Sequence, residues 1–323
     1  MTIPTGADSP RNPLRLILGS RGSALALAQA RWVQARLGEK EPGARPEIRI
    51  IRTEGDRSQS VPLASGTTVG IFVREIEEEL LSGRIDLAVH SLKDLPTAQP
   101  AGLEVAAIPV REDPRDVLVL REGKGLDDLP PEAVVGTGSP RRIGQIRAVR
   151  PDLRFEAIRG NVDTRIRKLR EGRVAALVLA AAGLNRLGIT DITFHPFPLE
   201  MVLPAPGQGA LGIEIRSGDG SLADLLRRAL DHPHSSAAAR AERAFLKELG
   251  GGCRLPVGSL GTVEGGELRL RGAVAAVDGS GVLRDEERGP VSSPESVGER
   301  LGYRMLRSGA AELMARTPQG AGE

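Results

Sequence analysis

Residues 162–179, VDTRIRKLREGRVAALVL, decide how this 323-residue chain is read. Val162 to Arg170 alternates apolar and charged side chains at helical spacing. Glu171-Gly172-Arg173 follows as a helix stop, with glycine where a left-handed cap prefers it, and Val174 to Leu179 reads as a short buried strand. The same order occurs earlier in residues 71–89, IFVREIEEELLSGRIDLAV: a helix Ile71 to Leu81, the stop Ser82-Gly83-Arg84, then a strand Ile85 to Val89. A second echo lies upstream of each. Leu14 to Leu18 reads as a strand, Gly19-Ser20-Arg21-Gly22-Ser23 as a turn, and Ala24 to Leu37 as a helix with Leu25, Ala28, Trp32 and Ala35 on its apolar face. Ala133 to Val135 is the matching strand, Gly136-Thr137-Gly138-Ser139 the turn, and Pro140-Arg141-Arg142 the start of a helix for which Ser139 suits the cap and Pro140 the first position. Two similar α/β lobes with parallel-rich sheets follow.

The rest of the chain sets the boundaries. The lobes are expected to meet at Arg111-Glu112-Asp113-Pro114-Arg115 and again at residues 203–209, Leu-Pro-Ala-Pro-Gly-Gln-Gly, which returns the chain to the first lobe. The first lobe then comprises residues 13–110 with 208–230, the second 111–207, and a third unit 231–316, with 1–12 and 317–323 as disordered tails. His232-Pro233-His234 reads as an exposed turn, followed by a helix Ala237 to Leu249 and strands within Leu268 to Val277. Two crossings between lobes make a hinged cleft, a common place for a ligand.

Composition narrows the function. Apolar residues make up 40%, with no run long enough to span a membrane, and the polar first dozen residues lack a signal core. One cysteine allows no internal disulfide, so the cytoplasm is the expected compartment. Aromatics at 2% exclude a base-stacking platform, and four scattered histidines give no metal-ligand spacing. No nucleic acid, membrane or metal partner is expected. All but five of the 44 basic side chains are arginine, the residue whose planar fork grips carboxylates and phosphates.

Those arginines recur at strand–turn–helix junctions: Arg21 in the first, Arg141 and Arg142 in the second, and Arg159 in the turn Ile158-Arg159-Gly160-Asn161 that opens the helix bearing Arg165. Each turn by itself reads as a solvated helix start or as an anion site; three of them at strand ends around one cleft point to a ligand with several carboxylates or phosphates. Asp94, in HSLKDLP (residues 90–96), ends a buried strand. It reads either as a turn aspartate or as a cleft carboxylate kept ionised by Lys93 and able to move protons or stabilise a cation. Cys253, in the loop Gly250-Gly251-Gly252-Cys253-Arg254, is either small packing or a thiol activated by Arg254.

These segments, in order, resemble hydroxymethylbilane synthases, also called porphobilinogen deaminases. The matching stretches include Arg21-Gly22-Ser23, Asp86 to Pro96, Arg111 to Asp116, Arg141-Arg142, Arg159-Gly160-Asn161-Val162, Ala182-Gly183-Leu184, Pro206 to Ala210 and Gly251-Gly252-Cys253. The resemblance implies two similar lobes of the type II solute-binding-protein kind, with mixed sheets around a cleft, and a small α+β C-terminal domain. It implies a dipyrromethane cofactor held covalently by a thioether to Cys253. Four porphobilinogen molecules are condensed head to tail onto that primer, each losing ammonia, and water then releases the linear tetrapyrrole. Each pyrrole carries an acetate and a propionate, which accounts for the arginines. Asp94 is implied as the catalytic group. Cys253, Lys93, Asp94, Ser23, Thr137, Ser139, Arg141, Arg142, Arg159 and Arg165 are implied around the cofactor, and Arg21, Gln29, Arg159, Arg165, Arg186 and Gln208 around the substrate. A monomer is expected. One departure stands out: Val69 occupies a glycine-rich stretch where many members have a lysine. The competing function is a non-catalytic two-lobe binding protein for polycarboxylate or phosphate ligands; a phosphate-directed enzyme would need a P-loop lysine pattern that the sequence lacks.

Overall fold

The computed structural model describes residues 14–53, 73–252 and 255–316. The readings placed on Cys253, Arg254, Val69 and the two tails lie outside the described residues. Strand β1 (Leu14–Arg21) leads through Gly22 and the cap Ser23 into helix α1 (Ala24–Lys40), then β2 (Ala44–Ile51). Helix α2 (Arg74–Leu81) precedes β3 (Leu87–Ser91), a single helical turn Leu92–Asp94, and β4 (Leu103–Ala107). The chain then enters β5 (Asp116–Leu120), β6 (Val134–Gly136), α3 (Pro140–Arg147), β7 (Arg154–Glu156), α4 (Val162–Arg170), β8 (Ala176–Ala180), α5 (Ala181–Leu187) and β9 (Phe194–Pro196). It returns through β10 (Leu211–Arg216) and α6 (Gly220–Leu230) to α7 (Pro233–Glu248), a meander β11 (Val257–Glu264), β12 (Glu267–Ala275) and β13 (Val282–Pro290), and the closing helices α8 (Pro294–Arg307) and α9 (Ala310–Ala315).

Two five-stranded sheets share one plan. The first runs β2-β1-β3-β10-β4 and the second β7-β6-β8-β5-β9. In each, one strand pairs in parallel with two neighbours, and one strand arriving from elsewhere in the chain pairs antiparallel with two more. β10, entering the first sheet between β3 and β4, makes it mixed; β5 does the same for the second. Leu16, Leu18, Leu87, Val89, Ile213 and Ile215 supply one core, and Val117, Val119, Leu177 and Leu179 part of the other. The three-stranded antiparallel sheet packs Leu268 and Leu270 on Phe245, Leu301 and Met305. The α/β architecture with two like-built lobes and a separate C-terminal sheet is thus present.

Several local readings need correction. β1 continues through Gly19, Ser20 and Arg21, which pair with Arg49, Ile50 and Ile51, so the expected five-residue turn shrinks to Gly22 and Ser23. The α1 face turned inward is Gln29, Ala30, Val33 and Leu37, whereas Trp32 is 40% exposed and Ala35 faces solvent. The buried stripe is offset from the expected one, with Val33 and Leu37 inward in place of Trp32 and Ala35. His232 is no exposed turn: its ring accepts from the Ser235 amide at 3.3 Å and caps α7, with Pro233 in the first turn.

Candidate functional site

β3 leads to the candidate carboxylate of the first lobe. After Ser91 the backbone closes one turn, Leu95 N–H donating to the Leu92 carbonyl at 3.2 Å, and Asp94 emerges exposed between the buried Leu92 and Leu95. Among the described residues nothing donates a hydrogen bond to the Asp94 carboxylate. Gln29 supports the strand end from α1: its amide donates to the Ser91 hydroxyl at 2.9 Å, and that hydroxyl reaches back to its carbonyl oxygen at 3.2 Å.

Two cations, Lys93 and Arg165, act on this carboxylate, and Arg141 and Arg142 act in turn on Lys93. Lys93 is half-buried, yet its ammonium is crowded enough that burial lowers its pKa; Asp94 opposes that shift and Arg142 adds to it. Lys93 Nζ lies 3.4 Å from Gln208 Oε1. Arg165 donates through Nε to the Gly160 carbonyl at 2.8 Å; burial lowers its pKa, Arg142 lowers it further, and Asp94 supports its charged form. Arg141 and Arg142 stand on the buried first turn of α3 and share Asp116, itself fully buried. Arg142 grips Asp116 Oδ1 through Nε at 2.9 Å and Nη2 at 2.6 Å, while Arg141 Nη1 donates to Oδ2 at 2.5 Å. Burial would raise the Asp116 pKa, but the two guanidiniums overcome it and hold the carboxyl well below its ordinary range. Gln208 closes the set, donating to Asp116 Oδ1 at 3.0 Å and to the Pro114 carbonyl at 2.7 Å. Lys93, Arg141, Arg142 and Arg165 against Asp94 and Asp116 leave two positive charges in excess.

Six of the residues expected from sequence are therefore one electrostatic cluster: Asp94, Lys93, Arg141, Arg142, Arg165 and Gln208. Arg186 joins through the crossing segment, donating to the Gly209 carbonyl at 2.7 Å, with burial pulling its pKa down to about 10. Arg21 stands half-buried at the end of β1. Ser23 caps α1 by accepting from the Ala26 amide at 3.3 Å, and the buried Thr137 hydroxyl accepts from the Ser139 amide at 3.3 Å. Ser139 occupies the cap position of α3 without a side-chain capping bond, and Arg159 is exposed, its carbonyl taken by Lys168.

Two acids were missed by the sequence reading. Asp116 enters the sequence reading only as the last residue of the family-like stretch Arg111 to Asp116. Glu242, on α7, is buried and accepts Arg111 Nη2 at 3.0 Å, the Gly207 amide at 2.6 Å and the Gly261 amide at 2.8 Å. It fastens both crossings between lobes to the third sheet. The only local signal was Arg111 itself, whose partner lies 131 residues away.

The donor set suits a group bearing several carboxylates, because the cluster carries a positive excess and three of the arginines retain N–H groups beyond those already engaged. Comparison with known proteins decides which group. The family model described as "Porphobilinogen deaminase, dipyromethane cofactor binding domain" matches residues 16–224, and "Porphobilinogen deaminase, C-terminal domain" matches 236–307. The chain belongs to the porphobilinogen deaminase family. A porphobilinogen deaminase of Desulforudis audaxviator is 49% identical over 306 residues, covering 95% of this chain and 99% of that one. One from Thermus thermophilus is 51% identical over 302 residues, covering 93% and 98%, and one from Pelobacter propionicus is 48% identical over 307 residues, covering 95% and 98%. The family uses a dipyrromethane cofactor and porphobilinogen as substrate, so the chain is a transferase of tetrapyrrole synthesis. No described helix is long and apolar enough to cross a membrane.

Proposed function

We infer that the hydroxymethylbilane synthase activity of this family is carried here by Asp94 within the cluster of Lys93, Arg141, Arg142 and Arg165. The activity is the stepwise condensation of four porphobilinogen molecules with loss of ammonia, then hydrolytic release of the linear product. The observation that carries the residue assignment is an exposed carboxylate with all its acceptor sites open, acted on by the cations of Lys93 and Arg165. Pyrrole N–H groups are donors, and a ring under attack gains positive charge; an ionised Asp94 accepts the first and stabilises the second. In its protonated form the same group can deliver a proton to the departing amine, which leaves as ammonia. The four cations hold acetate and propionate side chains, fixing each incoming unit against Asp94. Dipyrromethane, when attached, supplies the terminal pyrrole carbon to which the first unit is joined. Lys93, Asp94, Ser23, Thr137, Ser139, Arg141, Arg142, Arg159 and Arg165 are proposed around it, with Cys253 as its thioether anchor; Arg21, Gln29, Arg159, Arg165, Arg186 and Gln208 are proposed for the incoming substrate.

A purely binding protein would need the cations but gains nothing from an open carboxylate among them, since it repels an anionic ligand. The reading includes a monomer, as the family resemblance implies, in the cytoplasm, which suits a sequence with one cysteine and no possible internal disulfide. Intact mass tests the anchor: the purified protein is expected to exceed its sequence mass by one dipyrromethane, and Cys253→Ser to lose the excess. An unmodified mass from cells that make porphobilinogen would sink it.

A further inference from the structure

The turn that presents Asp94 is held from the third unit, and three contacts converge on it. Ala239, on α7, belongs to the same buried apolar cluster as Leu92 and Leu95, the residues flanking Lys93 and Asp94. One turn further along the same helix, Arg243 places Nη1 2.9 Å from the Leu95 carbonyl and Nη2 2.6 Å from the Pro96 carbonyl. Residues four apart share a helix face, so the apolar contact and the guanidinium address the turn together. Beyond the helix end, Gly251 lies so close to Thr97 that a Cβ at this position would stand 2.9 Å from its hydroxyl. Its φ of +73° also disfavours any side chain there.

We propose that Arg243 is a positioning residue for Asp94: its fork fixes two successive carbonyls of the Asp94 turn and so sets where the carboxylate points. The inference rests on Asp94 being the reacting group. Two carbonyls in series need two donors in one plane, which guanidinium supplies and a single ammonium does not. Pro96 has no N–H, so nothing in its own backbone can lock that side of the turn through a donor. Both terminal nitrogens of Arg243 are engaged by the Leu95 and Pro96 carbonyls. Its contribution is geometric and belongs to turnover rather than to affinity.

The test uses holoenzyme, with cofactor occupancy measured by intact mass and porphobilinogen consumption followed at steady state. Arg243→Met is expected to carry the cofactor and to melt close to the parent, while kcat falls about 10- to 100-fold and KM changes less than about threefold. Arg243→Lys should recover part of that loss. A loaded Arg243→Met with kcat within about twofold of the parent, or with its loss in KM alone, overturns the proposal. If Arg243→Met does not fold or load, Arg243→Lys decides: a roughly tenfold kcat loss at unchanged KM supports the clamp, and parental kcat overturns it. Asp94→Ala is measured alongside. Parental activity there sinks the reading of Asp94, whereas lost activity there with full activity in Arg243→Met sinks the clamp alone.

Discussion

At the scale of single residues, two aspartates 22 positions apart do opposite things. Asp94 is exposed and open, Asp116 buried and saturated. Asp94→Ala is expected to lower kcat by about 10²- to 10⁴-fold, with melting unchanged, because it removes acid–base and charge-stabilising chemistry but no packed contact. Asp116→Asn should act the other way, costing about 3–5 kcal/mol in denaturant unfolding by leaving Arg141 and Arg142 without their shared anion. The pH dependence follows from the depressed carboxyl. Its stabilisation is complete above the unfolded value, ordinarily 3.8, and is lost as pH falls through the lower folded value. Acid titration of the urea midpoint should show this loss in the parent and not in Asp116→Asn. The sequence displayed Asp94 because it ends an apolar strand within a distinctive motif. It hid Asp116 because nothing local says that a residue opening a strand will meet two arginines from a later helix.

At the scale of elements, the crossing segment 206–209 is where conformation and site meet. Gly209 has a φ of +84°, and a Cβ there would fall 2.4 Å from the Glu112 carbonyl of the other crossing. Gly209→Ala should therefore destabilise the fold by about 1–3 kcal/mol from backbone strain, and more from the clash, read as a lowered denaturant midpoint. It should also disturb Arg186, which donates to that residue's carbonyl. The helix–stop–strand echoes were legible because glycine stops and apolar runs are local signals; α4 begins and ends at Val162 and Arg170 as read. Strand starts were placed too early, since Ile85 and Val174 are buried before the ladders begin at Leu87 and Ala176. Burial and hydrogen-bonded pairing are different properties, and an apolar run reports only the first. The wrong stripe on α1 has the same root: Trp32 is apolar by type but stacks beside Arg36 at the surface.

At the scale of the whole molecule, the positive excess predicts a salt effect. Raising ionic strength from about 0.05 M to 0.5 M should raise KM for porphobilinogen severalfold while kcat changes little, because screening weakens capture of a carboxylate-bearing substrate more than a step at one short-range site. The three units are also joined unevenly. The Ser259 amide donates to the Pro204 carbonyl at 2.9 Å and Arg147 to the Val277 carbonyl at 2.7 Å, but among the described residues of the third unit Glu242 alone engages both passages between the lobes. That carboxylate comes late in the chain. During synthesis both lobes leave the ribosome before residue 242 does, so the two passages of a nascent protein hold each other through bonds such as Arg111 Nε to the Gln208 carbonyl at 2.8 Å but still lack their tie to the third unit. Competence then waits on the last portion to be translated, and a truncated copy lacking it would hold the arginines and Asp94 without the brace that keeps them in register.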